Sequence, residues 1–265
     1  MIGLPMKKIV KNSLGYDNSL FVYQDKQMFN YSVDTILLGN FATLNASTQK
    51  VLEIGTNNAA LALFLAARST KIHVDALEIQ PEALQVARQN VTLNQKEQQI
   101  TLIEGDFNDY WQTYAAKPKS SLYDLIVVNP PFYKPGTTNL GKISPSKLMA
   151  THEVSITLED IIGGSAHLLK KNAYLALVIA TERLVDVCHL MRQAGFEVKR
   201  VQFVHPRTFQ KSNLVLVEGR YQAGWGTHFL PNLYLHPDDL GKSSYRPEVV
   251  KLYRPIKVNQ KDGHG

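Results

Sequence analysis

At 265 residues, 44% hydrophobic and 20% charged, the chain has the size of one α/β domain with a modest extension, and enough apolar content to fill a core. Its formal net charge of +6 and pI of about 9.2 suit a phosphate-bearing partner, because each neutralised phosphate releases counterions. A single cysteine, Cys188, excludes a disulfide framework and any cysteine-built zinc or iron–sulfur site, and no metal is expected.

The first eleven residues are basic but lack the apolar run of a signal peptide. No stretch is long enough to span a bilayer, so the expected location is the cytoplasm, with no membrane partner. The run 50–54 reads as a buried strand, followed by a Gly/Asn turn and a helix over 59–68. A strand over 72–78 precedes a helix over 81–94, with Pro81 suited to its first turn. Strands over 100–104 and 124–128 follow, the latter unusually apolar. A helix over 158–169 leads to a strand at 174–179, then to a helix over 182–193 closed by Gly195. Strands over 196–204 and 213–221 come next with no helix between them, and 259–265 reads as a polar tail.

No repeat or low-complexity linker divides the chain. The expectation is therefore a single domain over 1–265, with an N-terminal segment 1–45, a catalytic core 46–222 and a C-terminal extension 223–265. Strand–helix alternation that ends in a strand pair predicts an α/β fold. Its central sheet should be seven-stranded and mostly parallel, with one antiparallel strand near the edge and helices on both faces. Ligands of such sheets bind beyond the carboxyl ends of the strands.

Three acidic residues fall at those ends. Glu53 precedes Gly55, Asn57 and Ala59; Glu78 ends the second strand; Asp106 follows the third in Glu104-Gly105-Asp106-Phe107. A carboxylate accepts both hydroxyls of a diol, and a loop that hugs a ligand needs residues tolerant of positive φ. Taken singly, each acid is also an ordinary strand-end charge, and Glu78 also suits the ribose of a nicotinamide cofactor, although the full Gly-x-Gly-x-x-Gly loop is missing. In this order the trio resembles motifs I to III of the class I, Rossmann-like methyltransferases. The resemblance implies S-adenosyl-L-methionine as cofactor. It places the loop with Glu53, Gly55 and Asn57 by the methionine part, Glu78 with Ile79 at the ribose, and Asp106 with Phe107 at the adenine. Asn57 and Ala59 stand where that family usually has glycines; Asn enters the left-handed region readily, Ala much less so.

Asn129-Pro130-Pro131-Phe132 follows the most apolar strand. The nitrogen of an exocyclic amine or amide is a poor nucleophile, because its lone pair is delocalised. The Asn129 side-chain oxygen, bound to one N–H, and the Pro130 carbonyl, bound to the other, favour a pyramidal nitrogen with its lone pair free. Two prolines fix the backbone and offer no competing N–H, and Phe132 gives a planar base a face to stack on. Positioning and acceptor placement then carry the reaction without a strong general base. The motif does not name the nitrogen: adenine N6, guanine N2 and glutamine side chains remain open.

Flanking segments narrow the choice. The stretch from Phe29 through Tyr31, Ser32 and Asp34 to Ala42, the pieces Ala150–Glu153 and Thr157–Ile161, the pair Val204–Arg207 and Leu214–Glu218, and the closing Leu233–His236 and Tyr245–Tyr253 resemble, in order, the bacterial valine-tRNA adenine-N6 methyltransferases. The likeness runs from about Leu14 to Tyr253. It implies transfer to the adenine beside the anticodon of a valine tRNA, with Tyr31 and Asp34 packed over the cofactor. Ser32 or Asp34 caps the helix that begins there. Lys134, His152, Arg207 and Lys211 are candidate RNA contacts, with Lys142 and Lys147 in the same track; the alternative is a solvated surface. Tyr110, Trp111, Tyr114 and Trp225 suit packing as well as stacking. A tRNA partner, no obligate protein partner and a monomer are expected. An rRNA guanine or protein glutamine methyltransferase, or a non-catalytic cofactor- and RNA-binding protein, are the alternatives.

Overall fold

In the runs 51–54, 74–78 and 125–128 every residue is buried, so successive side chains are covered on opposite faces, the pattern of a sheet covered on both sides. The computed structural model describes residues 9–15, 19–25, 31–130 and 156–258. In chain order it holds β1 (Ile9–Ser13), β2 (Phe21–Asp25), α1 (Val33–Phe41), β3 (Lys50–Ile54), α2 (Ala60–Arg68), β4 (His73–Glu78), α3 (Pro81–Leu93), β5 (Ile100–Glu104), α4 (Phe107–Ala115), β6 (Tyr123–Val128), α5 (Leu158–Leu168), β7 (Leu169–Ala180), α6 (Leu184–Gln193), β8 (Phe196–His205), β9 (Leu214–Tyr221), β10 (His228–Phe229), β11 (Leu233–Tyr234) and α7 (Pro247–Leu252).

The central sheet runs β10-β8-β9-β7-β6-β3-β4-β5, with β11 also on β8. Its seven longer strands are those expected, and only β9 among them is antiparallel to its neighbours, β7 and β8. The sheet has nine strands rather than seven because two-residue strands of the C-terminal extension pair with Arg200–Val201 and Val204–His205. They cover what would otherwise be an open edge of β8.

Val51, Val74, Leu125 and Val178 pack with α1, α2 and α3 on one face. Leu52, Leu77, Ile126 and Leu177 pack with α4, α5 and α6 on the other. On that second face α4 and α5 approach closely at Gly164, where a Cβ would stand 2.6 Å from the Trp111 ring and 2.7 Å from Phe107. Only a residue without a side chain fits there.

Helix α4 went unread as an element, although Phe107, Tyr110, Trp111 and Tyr114 follow helical spacing. Tyr110, Trp111 and Tyr114 are packing residues: Tyr114 stacks on Tyr123 and Trp111 on His167. Trp225 is 90% exposed. Strand β7 begins at Leu169, five residues before the expected 174, because Leu169 pairs with Tyr123 ahead of a register shift. The antiparallel hairpin β1–β2 was likewise not anticipated.

A buried ion pair ties the extension's side of the sheet to α1. Glu218 on β9, fully buried, accepts from Arg200 Nε at 2.9 Å and from the Thr43 backbone N–H and hydroxyl at 2.8 Å each. Arg68 donates to the carbonyls of Gly39, Ala42 and Ile256. Among the described residues no helix is long and apolar enough to cross a membrane.

Candidate active site

Parallel strands β3, β4 and β6 end at one edge, and the loops leaving them enclose a cleft with about 860 Å³ of empty space, its open mouth included. Tyr31, Thr35, Glu53, Gly55, Asn57, Glu78, Ile79, Asn129 and Pro130 all line it. An adjoining recess, sharing Gly55, Glu78 and Ile79, is lined by Asp106 and Phe107. Residues scattered over 100 positions of sequence therefore meet along one groove.

The loop after β3 turns sharply. Gly55 has φ 71°, Asn57 φ 51° and Ala59 φ 63°, so the two departures from glycine both occupy left-handed backbone. The Thr56 hydroxyl donates to Glu53 Oε2 at 2.6 Å. Glu53 is enclosed by protein, and burial pushes its carboxyl up to about 8. Glu78 accepts from the Asn57 N–H at 2.8 Å on one oxygen and from the Gln80 N–H at 2.9 Å on the other. It thus braces the β3 loop against the exit of β4. Burial raises the Glu78 carboxyl as well, opposed by those backbone bonds.

Ile79, 38% exposed, presents an apolar surface at the junction of cleft and recess. Asp106 caps α4, accepting from the Asn108 N–H at 2.7 Å, and Phe107 is a core residue with one side on the recess. Asp34 does not line the cleft: it is buried behind Ser32, which caps α1, and its neighbour Thr35 faces the space instead. The Tyr31 hydroxyl donates to Ser13 O at 2.7 Å.

Asn129 and Pro130 leave β6 directly into the cleft. Asn129 Oδ1 is buried and has no hydrogen-bond partner among the described residues. Opposite, a Thr157–Asp160 capping box starts α5, and Ile156 and Ile161 supply the apolar wall. Pro131, Phe132, Lys134, Lys142, Lys147, Thr151, His152 and Glu153 lie outside the described residues. Lys211 lines a separate groove past the ends of β7 and β8. Arg207 donates to the carbonyls of Pro237 at 2.9 Å and Lys242 at 2.8 Å, pinning the extension. Among the described residues no cluster of His, Cys, Asp or Glu could hold a metal ion.

Thr35, Thr56, Ile156 and Ile161 also line the cleft, and no feature of the sequence marks them as cleft residues. The last two carry only the apolar period of a helix and its lead-in, which does not distinguish a pocket wall from a core.

The sheet order, with its reversed penultimate strand and a cleft over β3, β4 and β6, is the architecture of the class I S-adenosylmethionine-dependent methyltransferases. A predicted O-methyltransferase from Agrobacterium tumefaciens superposes with a TM-score of 0.63 at 17% identity, over 85% of this chain and 98% of that one; at that identity the likeness carries the fold alone. The chain belongs to the methyltransferase small domain family, whose model matches residues 32–201. It is 30% identical to the tRNA1(Val) (adenine(37)-N6)-methyltransferase of Porphyromonas gingivalis, over 84% of this chain and 86% of that one. It is 31% identical to the enzyme of the same name from Aeromonas hydrophila, over 89% and 93%.

Proposed function

We propose that this chain methylates the exocyclic N6 of an adenine in tRNA, the adenine beside the anticodon of valine tRNA, with S-adenosylmethionine as donor. One observation carries the reading: Asn129 Oδ1, in the lining of the cleft, is a buried acceptor without a donor among the described residues. A buried polar atom without a partner costs about 1–3 kcal/mol, so such an atom invites a ligand N–H.

The donor set fits the cofactor. Glu78, with Ile79 beside it, would meet the ribose hydroxyls, Asp106 would accept from the adenine amine with Phe107 against the ring, and Glu53, Gly55 and Asn57 would hold the methionine part, with Tyr31 lining the same cleft. Asp34 acts behind them, by holding the start of α1. When bound, the group supplies a sulfonium methyl and departs as a neutral thioether.

Asn129 Oδ1 and the Pro130 carbonyl each accept an N–H of the target amine, pyramidalise the nitrogen and draw the positive charge that develops there. Pro130 has no N–H to compete. Pro131 and Phe132 complete the motif, Phe132 as the face for the extruded base. Lys211, Lys134 and His152 stand as the RNA contacts, whereas Arg207, expected among them, is engaged in holding the extension. The chain works as a single domain and as a monomer in the cytoplasm, with no obligate protein partner; the two edge strands that 223–265 contributes to the sheet favour one unit.

The test is transfer of labelled methyl to tRNA from a strain lacking the enzyme. Label in N6-methyladenosine at the anticodon-adjacent position, lost in Asn129→Ala while cofactor affinity stays within about threefold, bears the proposal out. Label in N2-methylguanosine or in protein glutamine would refute the assigned substrate, and tight tRNA binding with no label would refute the activity.

A further inference from the structure

Asn90, in the third turn of α3, is fully buried, and its side chain serves two separate segments. Its Oδ1 accepts from the Tyr23 N–H at 2.5 Å, and its Nδ2 donates to Tyr23 O at 3.1 Å and to Asn58 O at 2.9 Å. One turn on, Asn94 repeats the pattern on Phe21: Oδ1 accepts from the Phe21 N–H at 3.0 Å and Nδ2 donates to Phe21 O at 2.6 Å. Residues four apart on a helix rise about 6 Å, close to the roughly 6.8 Å between alternate residues of a strand. Two asparagine amides thus offer β2 the ladder that a neighbouring strand would offer, on the side away from β1. Tyr23 also packs on Ala83 and Val86 of the same helix.

Asn58 lies between Asn57 and Ala59, the two residues held at positive φ, and it lines the cofactor cleft. Backbone in that region persists where surrounding contacts over-determine it. Here Glu78 holds the Asn57 N–H, and Asn90 holds the next carbonyl. The same amide group that grips the cofactor loop therefore also grips the N-terminal hairpin.

We infer that Asn90 is a positioning residue that couples the hairpin β1–β2 to the cofactor loop, so that hairpin docking and S-adenosylmethionine binding favour one another. The inference rests on the cofactor site assigned above. Coupling is reciprocal: whatever the docked hairpin adds to cofactor affinity, bound cofactor adds to hairpin docking. Asn90 touches no reacting atom, so its influence falls on affinity and leaves the chemistry at saturation unchanged.

The experiment uses the full chain and S-adenosylhomocysteine, with calorimetry for affinity and amide hydrogen exchange for the hairpin. In the wild type the ligand slows exchange at Phe21 and Tyr23. Asn90→Ala raises the ligand Kd about tenfold, removes the ligand-induced protection of the hairpin, and leaves kcat at saturating cofactor within about twofold. Asn94→Ala, which loosens the hairpin without touching the loop, raises Kd by about threefold. Asn90→Asp keeps the acceptor but loses both donors, and behaves like Asn90→Ala. An unchanged Kd in folded Asn90→Ala, a wild-type hairpin whose exchange ignores the ligand, or an Asn94→Ala with wild-type affinity would each overturn the coupling. Should Asn90→Ala not fold, the wild-type exchange experiment and Asn94→Ala decide the matter. Because the affinity and hydrogen-exchange readouts need no tRNA, a chain that fails to methylate tRNA adenine yet protects its hairpin on ligand binding sinks the assigned reaction and leaves the coupling standing.

Discussion

Glu53 gives the most quantitative handle on the cleft. Its carboxyl is enclosed by protein, with the Thr56 hydroxyl as its donor, and titrates near 8 in place of the usual 4.5. Between those two values the folded protein keeps a proton that the unfolded chain has released. The stability contributed by this group is complete below pH 4.5 and is lost as pH rises through about 8. The slope inside the window approaches 1.4 kcal/mol per pH unit, and the whole effect reaches several kcal/mol. Glu53→Gln keeps an acceptor for Thr56 and removes the titration. Subtracting its denaturant-derived stability from that of the wild type cancels the other raised carboxyls, Glu78, Asp34 and Glu218. The variant should gain on the wild type steadily from pH 5 to 8 and level off above. The same carboxyl also has a ligand signature: a cationic amino group beside it favours the charged form, so cofactor binding at pH 7 should release up to about one proton, read by calorimetry in buffers of different ionisation enthalpy. Stability curves that run parallel from pH 5 to 9 would mean that Glu53 is already ionised at neutral pH, and the account of the loop would be wrong.

Other consequences can be checked with single variants. Asn129→Ala removes a buried acceptor that has no described partner, so thermal stability of the ligand-free protein should hold or rise by up to about 1 kcal/mol while transfer is lost; a loss of more than about 1 kcal/mol would show that the amide is already satisfied. Gly55 has φ 71°, and among the described residues beyond its chain neighbours no atom lies within 4 Å of where a Cβ would stand. Gly55→Ala should therefore cost about 1–2 kcal/mol of backbone strain and, by placing a methyl in the cleft, weaken cofactor binding by more than the stability loss accounts for; wild-type affinity would remove Gly55 from the site. Glu218→Ala leaves Arg200 without its buried partner and should lower stability by about 3–5 kcal/mol, roughly 10 °C in Tm at this chain length; a shift under 2 °C by calorimetry would contradict the ion pair's structural role.

Much of this molecule is legible from local pattern. The runs at 50–54 and 124–128 are largely apolar on both faces because helices cover both sides of a parallel sheet, and they read as strands from local pattern alone. The cofactor acids and Asn129 are equally legible, since each sits at a strand end followed by turn chemistry. Helix α4 shows only in the spacing of its aromatics, a pattern too short to stand apart from isolated packing side chains. Strands β10 and β11 were not available at all: two residues carry no period, and they are strands only because β8 offers them an edge.

The sequence by itself determined the order of strands and helices, the identity of the acids and the donor-free turn after β6, because these depend on residues adjacent in the chain. Only the tertiary structure decided which of those groups share a cavity, that Asp34 stands behind it and Asp106 beside it, that burial pushes the Glu53 carboxyl up, and that an asparagine on α3 bridges hairpin and loop. Burial, left-handed backbone at Ala59 and hydrogen bonds across 67 residues of sequence are properties of neighbours in space. A linear pattern holds no record of them until the sheet brings those neighbours together.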